Sequence, residues 1–284
     1  MAGWAYYFQM GKPHDSTLMR VAVLACALAC AGAAAQTAPA GQLKEVTVTS
    51  TTSPKTVEKS FRKMIRGLDY FEQHQAQAPA ASLRFKLLPR RADTRMDAIT
   101  VEVAGRQVDY FVPVAADRSF AIERNAQAYD EDAQVIIDRK LQSATWRIDI
   151  RSPGVPANAR RLGDLRLECQ AGFAAGLVSN SPSFLDSLSE ALSTTPAYCN
   201  TRNPRYLFFA DRPIFGVTLI SGARREAVPV SRLYAGASET PDLRVKLPYC
   251  DCEVLVDRTY FVPLDDRSWS DDTLVEMEYM EDAP

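Results

Sequence analysis

Four carboxylates crowd one tryptophan near the end of the chain: Asp265 and Asp266 precede Trp269, and Asp271 and Asp272 follow it. Paired carboxylates beside an aromatic ring suit sugar binding or acid–base cleavage of a glycoside, which needs two carboxyls about 5–10 Å apart. They also suit Ca²⁺, although the spacing matches no EF-hand loop. The plainer expectation is a solvated hairpin turn running into an acidic tail. Cysteine offers the second chemistry, through Cys169, Cys199, Cys250 and Cys252. Cys250 and Cys252 stand two apart, so on a strand they share a face at the limit of disulfide reach. Three arrangements follow. The first expected is a pair of disulfides joining Cys250 and Cys252 to Cys169 and Cys199. The second is a local Cys169–Cys199 clip, and the third leaves Cys250 and Cys252 as a free pair suited to copper or redox work.

Other chemistries find little to work with. The chain has two histidines, and only His74 lies beyond the N-terminal apolar run. Among Gln73, Gln75 and Gln77 it reads as an exposed helix-end residue. A Ser-His-Asp or Cys-His hydrolase would have to use it, and no G-x-S-x-G elbow accompanies it. A site of several imidazoles is excluded within one chain. There is no P-loop and no G-x-G-x-x-G, so nothing calls for a nucleotide. The sequence assigns no catalytic residue, metal or cofactor.

The elements that must position these residues follow from periodicity. Ser53 and Pro54 supply an N-cap and a first-turn proline, and Val57, Phe61, Met64, Ile65, Leu68 and Phe71 recur at helical spacing. An amphipathic helix is therefore predicted over 54–77, its other face bearing Lys55, Lys59, Arg62, Lys63 and Arg66. From Ser82 the period becomes two. Leu83/Phe85/Leu87, Ile99/Val101/Val103, Trp146/Ile148/Ile150 and Leu165/Leu167/Cys169 each alternate with polar residues. Such alternation predicts antiparallel strands with one buried and one wet face. Ser181 and Pro182 open a second helix with Phe184, Leu185, Leu188 and Leu192 in its stripe. Strands are predicted again over 206–209, 214–220, 243–247, 253–262 and 273–280.

One pattern occurs twice. Tyr110-Phe111-Val112-Pro113 runs on to Asp117-Arg118-Ser119-Phe120, and Tyr260-Phe261-Val262-Pro263 to Asp266-Arg267-Ser268-Trp269. The proline ends a strand, the Asp-Arg-Ser turns, and the aromatic restarts a strand. This pattern resembles the hairpin of transthyretin-like and carboxypeptidase-regulatory β-sandwich modules, which usually have glycine where Arg118 and Arg267 stand. The resemblance implies a β-sandwich, used twice. The fold class expected is mainly β, a β-rich α+β chain. It has two antiparallel β-sandwich-like domains over 80–178 and 204–284, a helical connector over 179–203 and the N-terminal helix over 54–77.

The first residues read as an address. Arg20 precedes fifteen apolar residues, too few to span a bilayer, that end in Ala33-Ala34-Ala35. This predicts a secretory signal over 1–35 with translation starting at Met19, then a flexible leader over 36–53. Lipid anchoring through Cys26 or Cys30 is the alternative. Leu43-Lys44-Glu45-Val46-Thr47-Val48-Thr49 resembles the TonB box of outer-membrane receptors, which would imply an accessory to TonB-linked uptake. Cleavage would leave 249 of the 284 residues, with one histidine and four cysteines. The full chain is 46% hydrophobic and 24% charged with a net charge of −2, which excludes the basic footprint of a nucleic-acid binder. No later stretch predicts a transmembrane segment. The expectation is an exported protein, periplasmic or secreted, that binds or scaffolds an envelope protein or glycan without catalysis. The alternative is a carboxylate-dependent glycan hydrolase.

Overall fold

Alternating strands build most of the molecule. The computed structural model describes residues 56–140, 143–177, 195–202, 204, 206–234 and 255–280. They belong to one unit running from Thr51 to Pro284. Along β2 (Ser82–Pro89) Leu83, Phe85 and Leu87 point inward while the residues between them are half-buried. β2 pairs antiparallel along its length with β7 (Ala144–Arg151), and β5 (Ser119–Phe120) takes its other edge. A second sheet has the order β1 (Thr56–Ser60), β6 (Gln134–Lys140), β3 (Val101–Ala104) and β4 (Asp109–Val112). A third has the order β11 (Arg224–Ala227), β10 (Ile214–Ser221), β13 (Leu274–Tyr279) and β8 (Ala159–Arg161). β9 (Phe208–Phe209) pairs with β12 (Thr259–Tyr260). All of these pairings are antiparallel, so the chain is mainly β. β8 precedes residue 178 in sequence yet closes the sheet built from the C-terminal strands.

The first helix starts later than its apolar stripe predicts. Residues 56–60 form β1, and α1 spans Phe61–Gln73. Ser60 caps it, accepting the Lys63 N–H at 3.2 Å while its hydroxyl donates to Asp132. A capping serine beside a strand edge thus outcompetes the Ser53-Pro54 signal, and Val57 becomes a strand residue. From Phe61 onward the stripe holds, with Phe61, Met64, Ile65 and Phe71 buried. Arg62, expected on a solvated basic face, donates instead to the carbonyls of Tyr129 and Asp130, closing the end of α2 (Ala126–Glu131).

The larger correction concerns Leu165, Leu167 and Cys169. They lie on a helix, α3 (Leu162–Ala175), with Gly163 and Asp164 in its first turn. Asp164 in the first turn suits the positive end of the helix dipole. At the other end Gly176, at φ +63°, and Leu177 donate to the carbonyls of Phe173 and Gly172. The helix is buried almost all round because it serves two cores. Leu167, Ala171 and Ala175 join the apolar cluster of β2, β3, β6, β7 and α1, whereas Leu162, Leu165, Cys169 and Phe173 join that of β10 and β13. A helix without a wet face shows no helical polarity pattern, so a chance period of two dominated. Gly67 lets α1 approach it, since a Cβ there would stand 2.8 Å from Ile148 Cδ1 and 3.2 Å from Ala175 Cβ.

Cys169 leaves this helix to bond Cys199, which sits on a 3₁₀ turn over Pro196–Asn200, with 6.0 Å between their Cα atoms. The two cysteines that the expected staple needed are therefore bonded to each other, and the local clip replaces it. Cys250 and Cys252 lie outside the described residues. So do the address, the leader, Cys26, Cys30, the 43–49 run, the second helix predicted from Ser181 and the strand predicted over 243–247. Among the described residues no helix is long and apolar enough to cross a membrane.

Candidate functional site

The acidic residues around Trp269 are held as structure. Trp269 is 1% exposed, and the Arg224 guanidinium covers its ring 3.5 Å from the centroid. No face of the ring is left for a sugar. Arg166, on α3 and 3% exposed, reaches under this turn. It donates to the carbonyls of Leu264 at 2.9 Å, Asp266 at 2.8 Å and Trp269 at 3.2 Å, and pairs with Asp271 at 2.6 Å. Asp272 pairs with Arg161 at 2.8 Å. The Asp266 carboxyl accepts the Ser268 N–H at 2.9 Å, and hydrogen bonds from Ser268 hold it below the usual aspartate range. Asp265 is half-buried within the same turn. His74 caps α1 with its ring stacked on Tyr70 at 3.9 Å.

Behind this lies a chain of alternating charges that no periodicity announced. Arg147 and Asp149 were expected on the wet face of β7, yet both are buried because α3 and the 206–209 segment cover that face. Glu168 on α3 pairs with Arg160 at 2.7 Å, Arg160 with Asp149 at 3.3 Å, and Asp149 with Arg151 at 3.0 Å. Arg151 reaches Asp211 at 3.5 Å, and Asp211 pairs with Lys86 at 3.0 Å. The series runs from the buried Glu168 carboxylate to Lys86, whose side chain is 15% exposed. Burial pushes the Glu168 carboxyl up, Asp149 adds to this, and Arg160 opposes it. Burial also pushes the Tyr206 hydroxyl up to about 12 and raises that of Tyr260, so both stay protonated. A buried pair of this kind is costly to break from one side, by about 3–5 kcal/mol.

The outer end of that series opens into a cleft of about 340 Å³. Its walls come from four segments distant in sequence: the second half of β2, the turn at 116–118, residues 209–211, and Leu255 with Arg258. Pro89 and Phe209 contribute apolar surface, and Lys86, Arg118 and Arg258 contribute positive charge. Each cation is placed by the backbone. Lys86 Nζ bridges the Asp211 carboxylate at 3.0 Å and the Asp117 carbonyl at 2.6 Å. Arg258 Nη1 donates to the Asp211 carbonyl at 3.1 Å, while its Nε is buried without a partner among the described residues. Arg118 sits in the left-handed region at φ +64°. Its N–H donates to Ala115 O at 2.8 Å and its carbonyl accepts the Leu87 N–H at 2.9 Å, which locks the turn against β2. A non-glycine residue there costs about 1 kcal/mol.

The cleft has its own carboxylates, Asp117 and Asp211. Burial pushes each up, but for Asp117 the Ser119 hydrogen bonds, and for Asp211 the charges of Lys86 and Arg151, outweigh it and hold both below the usual range. Both are proton acceptors only. Among the described residues no three His, Cys, Asp or Glu side chains gather as metal ligands. Lys86, Asp211 and Arg258 were not singled out in the sequence. The one signal toward them was Arg118 itself, an arginine in a turn position suited to glycine.

Fold and site together define a mainly β protein built around a buried helix, with a disulfide clip and a cationic cleft. No protein-family model, curated protein or solved structure matches the chain.

Proposed function

We propose that this is an exported, non-enzymatic binding protein of the cell envelope, and that the cleft bounded by β2, the 116–118 turn and Arg258 is where it takes its ligand. The observation that carries this reading is the cleft: a small concave site with apolar walls and a few fixed polar groups. Glycoside hydrolysis has weaker support. It needs a carboxyl that holds its proton near neutral pH, and both cleft carboxylates are held in the ionised form. Asp271 and Asp272 are committed to Arg166 and Arg161.

Backbone-amide NMR of the intact chain titrated with a small-molecule extract of the periplasm tests the reading. The expected result is a cluster of shifts at 86–88, 116–118 and 209–211 with no turnover of added glycans. Shifts centred instead on 265–272, together with glycan cleavage, would establish the hydrolase and remove this proposal.

A further inference from the structure

We infer that the cleft holds the anionic group of a small ligand, a carboxylate or a phosphate ester, on Arg118 and Arg258, with an apolar body against Pro89 and Phe209. This deepens the binding reading and rests on it.

The charge already spent inside the cleft decides the sign of what it attracts. Asp211 is matched by Lys86 and also draws Arg151. Asp117 is turned inward and accepts the Ser119 N–H at 3.0 Å and the Ser119 hydroxyl at 2.7 Å. Two guanidiniums remain over. Arg118 attracts Asp97 through space but makes no side-chain hydrogen bond or ion pair among the described residues, and Arg258 uses one nitrogen on a carbonyl and leaves a buried Nε unmatched. A guanidinium fork is the side chain best shaped to hold a carboxylate or phosphate through two parallel bonds.

Arg118 adds a second, independent indication. Its backbone occupies a conformation that glycine adopts freely and arginine adopts at a cost. The fold would gain from glycine here, so the side chain stands at a local cost, as at strained ligand-holding positions. The corresponding residue in the other copy of the turn, Arg267, has no such strain and hydrogen-bonds Asn200 at 2.7 Å.

Three phenyl-bearing probes separate the possibilities: benzoate, phenyl phosphate and neutral benzamide, each titrated into the intact chain and followed by backbone-amide NMR. Benzoate or phenyl phosphate is expected to shift Leu87, Arg118, Phe209 and Arg258 at least tenfold more tightly than benzamide. The tighter of the two identifies the acid class. Arg118→Gly, which keeps the turn, should weaken the anion at least tenfold, as should Arg258→Met. Arg267→Gly should leave binding unchanged. Benzamide binding in the cleft as tightly as the anions would overturn the anion assignment while leaving the cleft as the ligand site. Shifts in the cleft with none of the three probes would overturn both.

Discussion

Residues 110–120 and 260–269 spell the same strand, proline, turn and aromatic, and their turns share one aspartate–serine hydrogen bond. In each the aspartate accepts the N–H of the serine two residues on, at 3.0 Å for Asp117 and 2.9 Å for Asp266. In each the following aromatic, Phe120 or Trp269, is buried to 1% exposure or less. Around these turns everything differs. The first continues into β5 on the edge of β2, is held by Arg84 from that strand, and presents Arg118, without a hydrogen-bond or ion-pair partner among the described residues, to a cleft. The second is followed by a strand only from Leu274, and it is packed over Arg166 from the buried helix. Short-range sequence dictates the aspartate–serine bond, and the elements beneath it dictate the turn's backbone and whether it is scaffold or site.

The sharpest way to break this comparison is to remove the two clamps. Arg166→Met strips three carbonyls and Asp271 of their partner in an almost closed environment, and should cost about 3–5 kcal/mol. Arg84→Met loses only its two hydrogen bonds to Ser119, at 2.6 and 3.2 Å, and should cost about 1–2 kcal/mol. Urea denaturation of both variants checks this. Equal losses would mean that the two turns are held alike.

Opening the Cys169–Cys199 clip comes next. The bonded cysteines are 30 residues apart, so restricting that loop in the unfolded chain is worth about 3–4 kcal/mol. Cys169 and Arg166 share α3, and that helix clamps only the second turn. A Cys169→Ala/Cys199→Ala variant should therefore lose amide-exchange protection more at 264–269 than at 115–120. Uniform loss would detach the clip from the turn.

The same substitution should then act with opposite sign in the two copies. Arg118→Gly relieves the left-handed backbone at φ +64° and should stabilise by about 1 kcal/mol. Arg267→Gly meets no such strain, frees the unfolded chain and removes the bond to Asn200, and should destabilise by about 0.5–1 kcal/mol. Denaturant midpoints of the two single variants decide it.

How much of this was readable depended on how much water each element touches. β2, β3, β10 and β13 keep one partly wet face, and their alternation survives in Leu83/Phe85/Leu87, Val101/Val103 and Val275/Met277. The stripe of α1 was readable from Phe61 onward. α3 and the outer face of β7 were not, because Arg147, Asp149, Arg166 and Glu168 are buried with partners from other elements. A sequence shows that such residues are charged and gives no sign of who neutralises them. The cleft was hidden for a related reason. Its walls come from four separated segments, and each contributes only two to four residues. Asp265, Asp266, Asp271 and Asp272 drew attention because they are adjacent in sequence, and adjacency served packing rather than chemistry.

The smallest effect concerns what the two copies share. Ser119 and Ser268 hold the carboxyls of Asp117 and Asp266 below the ordinary aspartate value of 3.8, Asp117 against the upward push of its burial. The folded form therefore binds protons less readily than the unfolded chain does. Their contribution to stability is complete above the unfolded value, near pH 4, and is lost as the pH falls through the lower folded values. Asparagine keeps the acceptor that closes this type of turn but cannot titrate. Asp117→Asn and Asp266→Asn should each flatten the fall in stability between about pH 4 and pH 2, and leave the slope above pH 5 untouched. Stability against pH, measured by urea unfolding, should show the same flattening in both variants even though their arginines diverge. A change in slope in one copy alone would mean that the shared turn chemistry is only apparent, and that the cleft has altered its aspartate as well as its arginine.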